Sequence, residues 1–555
     1  MIESRAPWLE AFLFSGVVGL LYFLGAESIL ASYHGFLHTA VGEAVLRDGL
    51  LPENPYHAGE PLRYYTLYPT LGVLLGRLGM GPLGGFALLN MVAAFLFPLA
   101  FNALGKSFQI SFFARRWAFL AVFFGFNALG WLSMPTWFGF EWAGAPPIAL
   151  SISMTHLPLF GAWDARLQGF LPKFLNVSSF ALALAPALFA LAEVFSKNAQ
   201  PRRLVLPAAL ALALNPLVGF WLGFLLCVYF SPLLWRRAWK EGIPWLFAGT
   251  GALLLSLPFL LPLFQAAPSG PNLTGQVAFQ SEPWRNIVGA NFLLILCALW
   301  GRRAWKAPQG AWVLCAVTTL LLALFLQLPW ANEYKLPRLL ALLLAFPVGV
   351  AASHLQASAH VLRWIPWLVL AGALPTTLLL STAYVRWGED VPQFPFQAQH
   401  GRLGIHAEAQ PLIFPASLLL LEAEVSPDAA LVLHAQHPGS RMSGGVVQGN
   451  ALAPVLHHAL FVDEPQIHNA EQDNLKARLD LVQAFFNSTD SLEHQEENLF
   501  QMLEEVTPQS LLILTPPNFP SQFFQGLKSG KNFLPPQRLG QEAGFSLWWI
   551  SPLPE

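Results

Sequence analysis

Ser32-Tyr-His-Gly-Phe-Leu-His-Thr-Ala-Val-Gly-Glu-Ala-Val-Leu-Arg-Asp-Gly49, continued by Leu-Leu-Pro-Glu-Asn-Pro-Tyr-His-Ala-Gly-Glu-Pro-Leu-Arg-Tyr-Tyr65, is the stretch on which the reading of this chain turns. Phe36, Leu37, Ala40, Val41, Ala44 and Val45 recur with a helical period. His34–Asp48 is therefore expected to be an amphipathic helix lying at a membrane interface. Gly49 is expected to stop it. Leu51–Pro61 is rich in Pro and Gly and reads as a turn-filled loop. Tyr64–Met80 is apolar with Pro69 inside it, and reads as a hairpin dipping back into the outer leaflet.

Around this stretch the sequence is built of long apolar runs. They are Leu9–Ile29, Leu83–Leu104, Trp117–Met134, Leu175–Phe195, Leu204–Leu214, Leu217–Leu234, Ile243–Phe264, Asn286–Trp300, Ala311–Leu328, Arg338–His354 and Trp364–Thr382. A full span takes ~20 residues. The runs thus predict a mainly α, polytopic transmembrane protein of about 11 spans. Asn215-Pro216 divides the shortest pair, which reads as one broken helix or a hairpin. Composition agrees: of 555 residues, 55% are hydrophobic and 11% charged, against roughly 25% charged in soluble chains. A disordered chain, a coiled coil and an ordinary cytosolic enzyme are excluded. Lys and Arg number 30 against 32 Asp and Glu, so no basic excess supports nucleic-acid binding. Cys227, Cys297 and Cys315 lie in apolar runs and offer no cysteine metal site or disulfide framework. The sequence carries no Gly-rich phosphate loop, zinc-protease motif or nucleophile elbow.

Charge returns after Tyr384. The expected organisation is a transmembrane domain over 1–383 with a long first outer loop at 31–82, a linker at 384–404, and an α/β domain over 405–555. In that last domain Ala430–His434, Ala459–Val462, Leu511–Thr515 and Phe545–Ile550 read as strands, and Ala470–Asn487 and Ser491–Glu505 as helices. His434, His437, His457, His458 and His468 match no compact metal motif. Leu9–Ile29 reads as a first membrane helix, since it is too long for a signal core. Lys106, Arg115 and Arg116, then Lys197, Arg202 and Arg203, then Arg236, Arg237 and Lys240, then Arg302, Arg303 and Lys306 occupy alternate breaks. By the positive-inside rule those breaks and the N-terminus are cytoplasmic, and the C-terminal domain is extracytoplasmic.

The first loop resembles a known family. A juxtamembrane helix, a Gly at Gly49, Pro52-Glu-Asn-Pro55, Gly59-Glu-Pro-Leu-Arg-Tyr64 and an apolar Pro-containing hairpin look like the GT-C superfamily of membrane glycosyltransferases. The layout of Leu9–Thr382 is similar as well, and the tail is similar to the extracytoplasmic α/β domains that often end such proteins. The resemblance implies transfer of a sugar from a polyprenyl-phosphate donor, held beside membrane lipid, to an acceptor outside the cytoplasm. The resembled enzymes typically carry Asp or Asp-Glu where this chain has His34-Gly35. Three readings of His34 and His38 stand open. They are structural imidazoles, or a general base, or an i, i+4 pair that holds a divalent metal with Glu27 as third ligand.

Other polar groups fall near the outer ends of the runs. Arg166 and Lys173, with Asp164 nearby, read either as phosphate partners or as interfacial anchors. Glu333, Lys335 and Arg338 crowd a short loop where charge is costly unless paired or used. That loop is loosely similar to one in dolichol-pathway mannosyltransferases, which implies that Lys335 and Arg338 contact the lipid phosphate. Tyr64 and Tyr65 are further substrate-binding candidates. A protein on the same scaffold that binds or translocates a lipid-linked glycan without chemistry is the rival reading. A secondary transporter is disfavoured, because no internal repeat is visible and few charges lie mid-helix.

Overall fold

The computed structural model describes residues 2–30, 33–81, 83–128, 170–235, 239–264, 285–305, 309–326, 335–358, 360–387, 416–425, 429–433, 456–462, 472–486, 492–506, 509–516, 519–520, 522–527, 533–542 and 544–552. The chain divides into two compact units. One comprises Met1–Leu30, Phe86–Phe259 and Thr274–Phe396; the other comprises Ala31–Gly85, Leu260–Leu273 and Gln397–Glu555.

The first unit is a helical bundle. In chain order with the loop helices, the elements are α1 (Ile2–Leu30), α2 (Tyr33–Asp48), α3 (Leu67–Leu75), α4 (Gly84–Ser107), α5 (Phe112–Gly125), α6 (Phe170–Leu175), α7 (Ser179–Val194), α8 (Pro201–Leu214), α9 (Pro216–Trp235), α10 (Trp239–Leu260), α11 (Ala290–Ala304), α12 (Gly310–Phe325), α13 (Leu336–Gln356) and α14 (Ile365–Trp387). Each of the apolar runs is helical over most of its described residues. Among the described residues six stretches, Ala6–Gly25, Gly84–Ser107, Lys240–Phe264, Ile287–Ala304, Leu336–Gln356 and Val361–Leu378, are long and apolar enough to cross a bilayer, and Ser179–Val194, Pro216–Pro232 and Gly310–Phe325 are shorter. The chain is an integral membrane protein; a count of eleven crossings goes beyond what these lengths establish.

The pair divided at Asn215-Pro216 is two helices. Asn215 is extended (φ −147°, ψ 105°) and ends α8. Its Oδ1 accepts from the Val218 N–H at 3.2 Å, which caps α9, and its Nδ2 donates to Ser179 Oγ at 2.8 Å. Helix α13 is the axis of the bundle, buried from Leu336 to Pro347 and packed against α5 and α11. Its approach to α5 needs a small residue. A Cβ on Gly349 would lie 2.1 Å from the Ala114 carbonyl oxygen.

The second unit is a three-layer sandwich. Its later elements are α15 (Ala416–Ala423), β1 (Ala429–Leu433), β2 (Ala459–Leu460), α16 (Gln472–Phe486), α17 (Leu492–Val506), β3 (Ser510–Thr515), α18 (Gln522–Gly526), β4 (Gln537–Glu542) and β5 (Phe545–Ile550). The sheet order is β2-β1-β3-β5-β4, parallel among the first three and antiparallel thereafter. Strand β4 has no counterpart in the sequence reading. As a largely exposed edge strand, Gln-Arg-Leu-Gly-Gln-Glu lacks the apolar alternation that marks a half-buried one. One face of the sheet (Ala430, Val432, Leu511, Ile513, Trp548) packs on α16, α17 and α18 through Val482, Phe485, Leu499, Met502 and Phe524. The other face (Leu431, Leu433, Leu512, Leu514, Leu547) packs on Leu37, Ala40 and Val41 of α2, on Tyr56 and Leu62, and on Leu418 of α15.

That second face corrects the expectation of an interfacial amphipathic helix. Helix α2 is buried at every position from Gly35 to Gly42, between the sheet and α3. Gly42 makes the inner approach possible, since a Cβ there would come 2.6 Å from the Pro69 carbonyl oxygen. A mostly parallel sheet needs both faces covered, and α2 supplies the second cover. The first loop therefore sits structurally with the C-terminal residues, although in sequence it interrupts the membrane half. Gly49 ends α2 at φ +92°, as a C-terminal glycine should. The apolar stretch expected to form a hairpin is α3 followed by a π-turn at Gly76–Met80.

Candidate functional site

Two clusters, one in each unit, hold the candidate residues. In the sandwich, α2 presents His34 and His38 on one face, as i, i+4 spacing dictates. His34 is half-buried and His38 is buried. The His38 ring meets Tyr68 edge-on at 5.0 Å, and lies 5.7 Å from Tyr64 and 6.3 Å from Tyr65. Tyr64 and Tyr65, both half-buried, stack at 4.3 Å, and the Tyr64 hydroxyl donates to the Tyr65 hydroxyl at 3.1 Å. Fold and local sequence cooperate here: Leu62 is pinned in the core below the sheet, and the next turn swings the tyrosines over α2. The result is an imidazole beside a paired phenol platform, a surface suited to hydroxyl-rich rings.

The two rings are not drawn together as a shared ion would hold them. The His34 and His38 ring centroids are 6.3 Å apart, whereas two imidazoles on one tetrahedral ion sit at about 5 Å. Among the described residues no three His, Cys, Asp or Glu gather closely enough to hold an ion. The Glu27 side chain lies outside the described residues.

In the bundle, α6 and the first turn of α13 converge on the Phe126 ring at the end of α5. The Arg338 guanidinium lies 5.8 Å from that ring and the Phe170 ring lies 6.5 Å from it. Arg338 has no solvent-exposed surface, and Lys173, one turn after Phe170, is buried as well. Lys335 is the half-buried N-cap residue of α13. A cation in the first helical turn opposes the helix dipole, so Arg338 is not there to stabilise α13. The first-turn N–H groups and the guanidinium together make a positive locus.

Further polar groups frame this locus, and the sequence reading did not single them out. Asn127 adopts a left-handed conformation (φ 52°), and its N–H donates to the Ala290 carbonyl at 2.7 Å. Asn291 donates to the Pro337 carbonyl at 3.2 Å. Tyr22 donates to the Leu175 carbonyl at 2.7 Å, while Asn90 donates to Tyr22 Oη at 2.6 Å and to the Asn176 carbonyl at 2.7 Å. These two side chains fasten the end of α6, and so fix where Lys173 stands. The available signal was an amide inside an apolar run. Arg166, Asp164 and Glu333 fall outside the described residues, as do His434, His437 and His468. His458 is buried and its Nδ1 pairs with Glu422 Oε1 at 2.7 Å, a structural contact between α15 and β2.

The sandwich carries a buried cation of its own. Arg478 on α16 reaches into the first loop and donates from Nη1 to the Ala58 carbonyl at 2.7 Å, to the Phe461 carbonyl at 3.0 Å and to His57 Nδ1 at 3.2 Å. Burial, with Arg478 and Arg63 nearby, pushes the His57 pKa down to about 3. Its Nδ1 therefore accepts from Arg478, and the 3.4 Å approach of Glu60 to that atom is not an ion pair.

No protein-family model matches the sequence, and no curated protein matches it. Among solved structures, arabinofuranosyltransferase AftD from Mycobacteria aligns over 98% of this chain and 40% of its own, at 15% identity and a TM-score of 0.51. The chain thus spans less than half of that enzyme's length. ArnT from Cupriavidus metallidurans, solved bound to undecaprenyl phosphate, aligns over 97% of both chains at 13% identity and TM-score 0.47. An oligosaccharyltransferase of Archaeoglobus fulgidus aligns over 91% of this chain and 69% of its own, at 13% identity and TM-score 0.40. Over nearly its whole length the chain therefore shares a fold with the mycobacterial arabinofuranosyltransferase AftD.

Proposed function

We propose that this protein transfers a sugar from a polyprenyl-phosphate-linked donor to an acceptor on the extracytoplasmic side of the membrane. The observation that carries the reading is the buried Arg338 at the first turn of the bundle's central helix, where its charge adds to the positive end of the helix dipole. A lipid phosphate is the anion that membrane surroundings offer. Arg338, Lys173 and Lys335 hold the phosphate and stabilise it as it leaves; Arg166 joins them. Glu333 orients Lys335 or Arg338. His34 takes the proton from the acceptor hydroxyl, and Tyr64 and Tyr65 seat the acceptor. The N-terminus is cytoplasmic and the C-terminal residues extracytoplasmic, following the alternate basic breaks. A cytoplasm-specific reporter that is active when fused after Gly404 overturns that orientation. No step is routed through a metal.

The rival reading is a protein that binds or translocates a lipid-linked glycan without chemistry. Its motive is His34 standing where the resembled enzymes carry a carboxylate. One experiment separates them. Purified protein is given a polyprenyl-phosphate sugar, and transfer and donor binding are measured for wild type and His34→Ala. The transferase reading expects turnover to fall by ~10²–10⁴ with donor binding intact, and wild-type turnover to decline on acidification, because protonated imidazole accepts no proton. Donor binding by wild type with no turnover across donors and acceptors favours the rival.

A further inference from the structure

The 55–58 stretch of the first loop runs along the outer side of β2. The Ala58 N–H donates to the Leu460 carbonyl at 2.8 Å and the Leu460 N–H donates to the Pro55 carbonyl at 3.0 Å, while the next N–H, of Phe461, turns to Leu431 of β1 at 2.8 Å. The loop thus closes an edge that would otherwise expose a row of unpaired groups. Two backbone bonds are a weak seam. Arg478 reinforces it from a residue 420 positions along the chain from Ala58. Its guanidinium lies 4.9 Å from the Phe461 ring, it binds one carbonyl on each side of the seam, and Nη2 reaches the Glu505 carbonyl at 3.4 Å. Glu505 Oε2 stands 3.5 Å from Nε, so α17 supplies the countercharge. Loop and α/β layer are joined once more through Glu53, whose Oε1 accepts from the Gln509 side chain at 2.9 Å and from the Gly59 N–H.

We infer that Arg478 is a positioning residue for the acceptor side of the site: by clamping Ala58 and His57 to β2, it sets the loop whose next residues are Tyr64 and Tyr65, packed over His38. The functional half of this inference rests on the transferase reading; the structural half does not. The Arg fork matters because it spans two carbonyls and an imidazole at once, which a Lys point charge cannot do. The α/β domain then has a task beyond its own stability, since it fixes the geometry of a loop inserted early in the chain.

The test uses the full-length protein in lipid nanodiscs, as wild type, Arg478→Met, Arg478→Lys and His57→Leu. Hydrogen exchange is read at the 52–62 segment and at Leu460. Loss of the clamp is expected to speed exchange there by about tenfold or more in Arg478→Met, less in Arg478→Lys and His57→Leu, with α13 and α16 unchanged. Transfer is measured in parallel: acceptor KM should rise while polyprenyl-phosphate binding stays at the wild-type level. In a further variant, Arg478→Ala, added methylguanidinium should restore part of both signals. Unchanged exchange at 52–62 in well-folded Arg478→Met and His57→Leu overturns the clamp. Faster exchange with unaltered acceptor KM overturns the positioning role. If Arg478→Met does not fold, His57→Leu decides by the same two criteria. If wild type transfers nothing, the transferase reading fails and positioning fails with it, while the exchange data still decide the clamp on their own.

Discussion

Helix α10 of the bundle leaves Leu246, Phe247 and Leu254 at 66%, 73% and 63% exposure, whereas α2 of the sandwich leaves Leu37 and Val41 with none. Both carry an apolar side. They differ in what solvates the apolar side. In the bundle it is left to lipid, so association rests on small-residue packing such as that at Gly349. In the sandwich the hydrophobic effect operates against water, and α2 is drawn onto a sheet that needs a second cover. The lesson extends to buried charge. Arg478 binds carbonyls of its own unit, which reads as architecture. Arg338 sits at a helix start where the dipole opposes it, and the proposed function gives it a lipid phosphate to hold.

Acid should break the comparison most strongly. The folded His57 imidazole, ringed by Arg478, Arg63 and Glu60, stays neutral down to about 3, while an unfolded one takes a proton near ~6.5. The unfolded chain binds more protons across that window, so sandwich stability is full above it and falls as pH drops through it, by on the order of 3–5 kcal/mol. Melting of the two units followed between pH 7 and 4 should show the sandwich losing stability first, and His57→Leu should flatten the slope. A slope unaffected by that substitution would place the acid sensitivity elsewhere.

A pair of truncations sharpens the solvent contrast. Leu37→Ala removes a side chain packed against Leu431 and Leu512 and should cost the sandwich ~2–5 kcal/mol. Leu254→Ala, on the exposed side of α10, should cost the bundle ~0.5 kcal/mol or less in a bilayer. Denaturation of reconstituted protein compares them, and equal costs would mean that α10 buries that side against protein.

The smallest effect tests the two arginines. Arg338→Ala should weaken polyprenyl-phosphate binding by ~1.5–3 kcal/mol, the range for a charged hydrogen bond, whereas Arg478→Met should leave it unchanged. Isothermal titration with the lipid in nanodiscs reads both. Equal losses would dissolve the distinction between ligand-facing and architectural cations.

Much of this is legible in the sequence. Apolar runs fixed the bundle because membrane helices are written in composition. Strand propensity located β1, β2, β3 and β5, and spacing put His34 and His38 on one face. The same composition could not say whether an apolar helical face meets lipid, water's edge or protein. So α2 was read as interfacial, although Leu37 and Val41 are core residues. Nor did local sequence mark Arg478, which in an amphipathic helix resembles any solvated arginine, or Asn127 and Asn291, whose partners come from other helices. The sequence by itself determined the apolar helices, four of the five strands and which residues bear charge, because those depend on neighbours along the chain. Only the tertiary structure decided which apolar faces are core, which cations are clamps and which loop belongs to which unit, because those depend on partners hundreds of positions away.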